Sequence, residues 1–116
     1  MYYIYLAKIN HNTIKIGCTS IRLCQRVAVM RQQEDKGAQI VMGYRYNNIT
    51  KPEALLLESV VRLALANAEY KSLRFDGRMD HFSNPRHITM KNLQEIMEQA
   101  LEEYEERLGL EHYLKV

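Results

Sequence analysis

Residues 2–9 alternate apolar and polar positions with the period of a half-buried strand. Residues 10–13 supply polar turn chemistry, and residues 14–18 resume the strand pattern, which together predicts a hairpin. Pairing Tyr5 with Gly17 and Ala7 with Lys15 places Ile4, Leu6, Ile14, Ile16 and Cys18 on one face. Tyr3, Tyr5, Lys15 and Gly17 then share the other. A slip of one residue would mix the two sets, so this register is the one that separates them.

Thr19 or Ser20 can cap a helix running to about Gln33, with Leu23, Val27 and Met30 at core spacing and Arg22 and Arg26 stacked on another face. Gly37 ends that segment. The β-rich composition of residues 39–46 predicts a third strand, and Thr50, Pro52 and Glu53 have the spacing of a capping box that opens a helix to about Tyr70. Residues 71–86 read as less regular, with a turn signal at Asp76 and Gly77. Thr89 opens a last helix whose Leu93, Ile96 or Met97, Leu101, Tyr104 and Leu108 form one stripe, closed by Gly109. The expected fold is α+β, a three-stranded, mainly antiparallel sheet flanked by helices in the order β-β-α-β-α-α. Residues 1–88 are expected to form the functional domain, and residues 89–116 an acidic amphipathic helix packed on it.

At 116 residues the chain has the length of one domain. It contains no apolar run of membrane-spanning length, and residues 1–9 make no signal sequence. Cys18 and Cys24, without a nearby histidine at metal spacing, read as two free thiols in a reducing, cytoplasmic compartment. The net charge of +2 conceals an asymmetry. Residues 1–91 carry 14 Lys and Arg against 7 Asp and Glu, whereas residues 92–116 carry 2 against 7. A basic body suits a polyanion, and the acidic end should face away from it.

The candidate chemistry collects in the first third of the chain and at one carboxylate beyond it. Tyr5 and Lys15 lie on the hairpin face that carries Gly17, which would let a phosphate approach the backbone, and Arg26 follows nine residues after that glycine. Arginine's planar fork suits phosphate. Glu58 interrupts the apolar run of residues 54–65. Buried, it needs a cation or several hydrogen bonds; turned outward, it would pair with Arg62 for roughly 0.3–0.5 kcal/mol. Glu53 competes with it as a functional carboxylate, but the capping box already accounts for Glu53.

Tyr3-Ile4-Tyr5, Lys15-Ile16-Gly17, Arg26 and Glu58 together resemble the GIY-YIG nuclease family over roughly residues 1–85. Gly17-Cys18-Thr19-Ser20 is similar to the branch, common in phages, that reads Lys-Ile-Gly before a small residue, Thr and Ser. Tyr3 stands where the family name has Gly, and Lys15 stands where it has the second Tyr. The resemblance implies a divalent-metal-dependent endonuclease acting on DNA, with RNA or branched DNA as the open alternatives. Glu58 would be the metal ligand for Mg2+, with Mn2+ able to substitute, because a hard octahedral ion keeps several waters and needs few protein ligands. Tyr5 would orient or activate water with Lys15 beside it, and Arg26 would hold the scissile phosphate. Tyr3, Gly17, Arg22 and Asn84 would contact substrate, and His81 is a further candidate base. The rival expectation is a catalytically inactive nucleic-acid-binding or protein-interaction module on the same scaffold. A homodimer through the last helix would supply the two sites a double-strand break needs.

Overall fold

The computed structural model describes residues 1–68, 72–75, 78–83 and 89–116. Strands β1 (Tyr2–Asn10) and β2 (Thr13–Thr19) form the hairpin, followed by α1 (Leu23–Gln33), β3 (Gln39–Tyr46) and α2 (Lys51–Asn67). Then come β4 (Ser72–Phe75), β5 (Arg78–Ser83), α3 (Met90–Leu108) and a two-residue strand β6 (Leu114–Lys115). The strands form one antiparallel sheet in the order β4-β5-β2-β1-β3-β6, with the hairpin at its centre. The expected three strands are therefore six among the described residues. β4 and β5 occupy the segment read as irregular, because at four and six residues they are too short for their pattern to stand out beside the turn signal at Asp76 and Gly77, and β6 is too short to leave a pattern.

The hairpin register is the expected one, with Tyr5 opposite Gly17 and Ala7 opposite Lys15. It divides the sheet into two faces. Ile4, Leu6, Ile14 and Ile16 join Leu57, Val61 and Leu65 of α2 and Leu93, Met97 and Leu101 of α3 in the larger core. Tyr5, Ala7 and Ile9 meet Met30 of α1 and Ala38 in the smaller one. The second face is thus roofed by α1 rather than left open.

Local chemistry explains most helix ends. Thr50 Oγ1 accepts the Glu53 amide while Glu53 returns to the Thr50 amide, a complete capping box; such a cap contributes about 1 kcal/mol. Thr89 accepts the Asn92 amide at 3.2 Å, and Gly109, at φ 67°, closes α3 in the left-handed conformation that glycine adopts without strain. α1 departs from expectation. Thr19 belongs to β2 and its hydroxyl accepts the Ile21 amide in a local turn, so the helix begins at Leu23, with Arg22 as an N-cap that makes no side-chain cap bond. The apolar stripe of α3 is spent on the chain's own core, since Leu93, Met97 and Leu101 are fully buried.

Candidate functional site

Tyr5 projects from β1 onto the α1 face and is 1% exposed. Arg26, on the inward side of α1, donates from Nε to Tyr5 Oη at 3.0 Å. Gly17 makes the arrangement possible: a Cβ there would collide with Tyr5 Oη and Cζ. The missing side chain therefore seats the phenol, and the space expected for a phosphate over the Gly17 backbone is filled by the Tyr5 ring. Tyr3, two residues before Tyr5 on β1, is also buried.

Lys15 is 2% exposed, and its ammonium lies 3.2 Å from Glu34 Oε2 at the end of α1. The other oxygen of that carboxylate, Oε1, is 2.6 Å from His81 Nε2. Lys15 and His81 are cross-strand partners in β2 and β5, so Glu34 joins two neighbouring strands from above. His81 is buried there and is not a solvated loop residue. Arg26 accordingly donates to the Tyr5 phenol, while Lys15 is engaged by Glu34.

Glu58 is half-buried on the inner flank of α2. Its position is reported by Cys18 on β2. Burial first, then the Glu58 charge and the thiol's hydrogen bond to Glu58, push the Cys18 thiol up to about 12, against smaller opposing effects of Lys51 and Arg26. Cys18, Glu58, Arg26 and Lys51 therefore share one neighbourhood beside the second half of β2. Both cysteines are free. Arg22 is exposed one turn before Arg26, and Asn84 lies outside the described residues.

Among the described residues no three His, Cys, Asp or Glu side chains converge as a metal centre. The donor set that remains, the Glu58 carboxylate beside a thiol held protonated, suits a hard ion that keeps its waters better than a soft one that needs thiolate. The sequence pattern does not single out Glu34 or Lys51, nor the contact of Cys18 with Glu58. Glu34 did carry a signal, since Arg26, Met30 and Glu34 recur every four residues and so share one helix face. Among the described residues, no helix is long and apolar enough to cross a membrane.

A family model described as the T5orf172 domain matches residues 1–104, from β1 into α3. No curated protein and no solved structure matches the chain.

Proposed function

Since the chain belongs to the T5orf172 domain family, a phage-associated domain related to nuclease-like domains, we propose that it is a divalent-metal-dependent endonuclease of GIY-YIG type that hydrolyses phosphodiester bonds in DNA. The observation that carries this reading is the hydrogen bond from Arg26 to Tyr5 at 3.0 Å, on a hairpin whose next residue past Gly17 adjoins Glu58. A guanidinium donating to a phenol favours the charged phenolate, which is what a tyrosine needs to orient or deprotonate water near neutral pH.

In this reading Tyr5 orients the attacking water and Arg26 binds the scissile phosphate, stabilising charge on its equatorial oxygens. Glu58 would hold Mg2+ or Mn2+. The ion, when bound, supplies Lewis-acid stabilisation at the leaving 3′ oxygen. Lys51 adds positive charge beside Glu58, and Arg22, exposed one turn before Arg26, contacts the neighbouring backbone, with Asn84 and Tyr3 as further substrate contacts. The excess of Lys and Arg over residues 1–91 provides the sequence-independent attraction for a polyanion.

A second reading, a binding module without catalysis, is favoured by one observation: Tyr5 and Lys15 are both almost fully enclosed. Incubating supercoiled and single-stranded DNA with the protein in Mg2+, Mn2+ or EDTA separates the two. Nicking that needs the metal supports the nuclease. Metal-independent binding with intact DNA at every metal concentration supports the module.

A further inference from the structure

We propose that Glu34 is a positioning residue of this site, holding Lys15 and His81 in fixed places on the sheet face that carries Tyr5. The inference rests on the nuclease reading for its kinetic consequence and on the geometry alone for its structural one.

Three observations carry it. Glu34 reaches Lys15 Nζ at 3.2 Å with one oxygen and His81 Nε2 at 2.6 Å with the other, across 19 and 47 residues of sequence. The carboxylate sits at the C-cap of α1, where the helix dipole presents its negative end and a negative side chain is locally unfavourable. Local helix energetics therefore do not account for Glu34, and its long-range partners do. Enclosing an ammonium and an imidazole beneath a carboxylate that itself keeps partial contact with solvent is also a poor way to gain stability, because desolvation offsets much of the attraction. Apolar side chains would fill the same space at lower cost, as Met30 does one turn earlier in α1.

The geometry gives the trio a consequence for the site. Arg26, Met30 and Glu34 lie on one stripe of α1, so the same helix that sets the Tyr5 phenol through Arg26 sets Lys15 and His81 through Glu34. Those two ends are about 12 Å apart along the helix axis. A Glu34 carboxylate at 2.6 Å from His81 Nε2 favours a proton on Nε2, which in the neutral ring leaves Nδ1 as the acceptor nitrogen. The amide of a glutamine can instead donate to Nε2, which would move the imidazole proton to Nδ1.

The test uses the full chain as wild type, Glu34→Gln, Lys15→Met and the double variant, in which the buried charges are removed together and folding is spared an unpaired ammonium. Nitrogen NMR of 15N-histidine-labelled protein without DNA reads the His81 ring, assigned with His81→Asn. Wild type should show Nε2 protonated, and Glu34→Gln should change that pattern; identical ring signals would overturn the proposal. Single-turnover nicking of supercoiled DNA in Mn2+ should fall at least about tenfold in Glu34→Gln, with affinity in EDTA preserved, as expected when the sheet face that carries Tyr5 loses its tie to α1 and the phenol is misplaced rather than lost. In the Lys15→Met background the same change should have a smaller effect, because only the hold on His81 is then left to lose. Wild-type nicking by Glu34→Gln, or losses that multiply in the double variant, would overturn the positioning role. A wild-type protein that never nicks DNA would instead remove the nuclease reading, leaving the imidazole pattern to decide whether Glu34 holds His81.

Discussion

Tyr5 and Tyr44 are buried strand tyrosines on opposite faces of one sheet, and they meet opposite surroundings. On the α1 face Arg26 donates to the Tyr5 phenol. On the α2 and α3 face Tyr44 donates to Glu98 Oε2 at 2.9 Å, and Tyr113 packs edge-on against it with ring centroids 4.7 Å apart. Burial first, then nearby carboxylates, push the Tyr44, Tyr46 and Tyr113 phenols well above their ordinary value. Those three stay protonated, which suits packing. Tyr5 instead faces a cation, which is what the proposed proton chemistry would require. Carboxylates divide in the same way: Glu34 holds a lysine and a histidine beside the hairpin, whereas Glu105 accepts the Tyr113 amide and faces His112, tying the chain end to α3. Residue type alone does not mark a site; the charge of its neighbours does.

Four measurements break or sharpen that comparison, beginning with the largest effect. Arg26→Ala should lower DNA cleavage about a hundred- to a thousandfold, because it removes a preorganised charge on the phosphate. Arg22→Ala should mainly weaken affinity and flatten its salt dependence; reversed effects would exchange the two roles. Tyr5→Phe should lower turnover by about a hundredfold, while Tyr44→Phe should leave turnover intact and cost about 1 kcal/mol in denaturant unfolding. Equal losses of turnover in both variants would end the distinction between the faces.

Alkylation of Cys18 should be slow at pH 8.5, because its thiol is pushed to about 12, and Glu58→Gln should speed it by removing the charge that helps raise it. An unchanged rate would show that Glu58 does not lie against Cys18. On alkaline titration Tyr44, Tyr46 and Tyr113 should remain un-ionised until the protein unfolds. Their folded values lie above the ordinary 10.0, so the stability they contribute is complete below pH 10.0 and is lost as the pH rises beyond it. A smooth phenolate titration of all tyrosines in folded protein would contradict this.

Much of the scaffold was legible because local rules and tertiary structure agree. The alternation of β1 and β2 specified their register, Thr50 and Glu53 specified the start of α2, and Gly109 marked the end of α3. β4 and β5 were not legible, since their pairing with each other and with the hairpin is a tertiary event that segments of four and six residues do not encode locally. The Arg26 position was readable from its spacing to Gly17, but its partner was not. The sequence points to Gly17 as a place for substrate, whereas the structure uses its missing Cβ to seat Tyr5. Glu34 was missed because a carboxylate at a helix end looks like a solvated residue until the strand across from it is known.

The central claim is that the neighbourhood of Tyr5, Arg26 and Glu58 hydrolyses DNA with a divalent metal held by Glu58. Comparing wild type with Glu58→Gln on supercoiled DNA in Mg2+, alongside DNA binding in EDTA, tests it most directly. The expected result is metal-dependent nicking by wild type, its loss in Glu58→Gln, and equal binding by both. Near-normal nicking by Glu58→Gln, or no nicking by wild type, would contradict it.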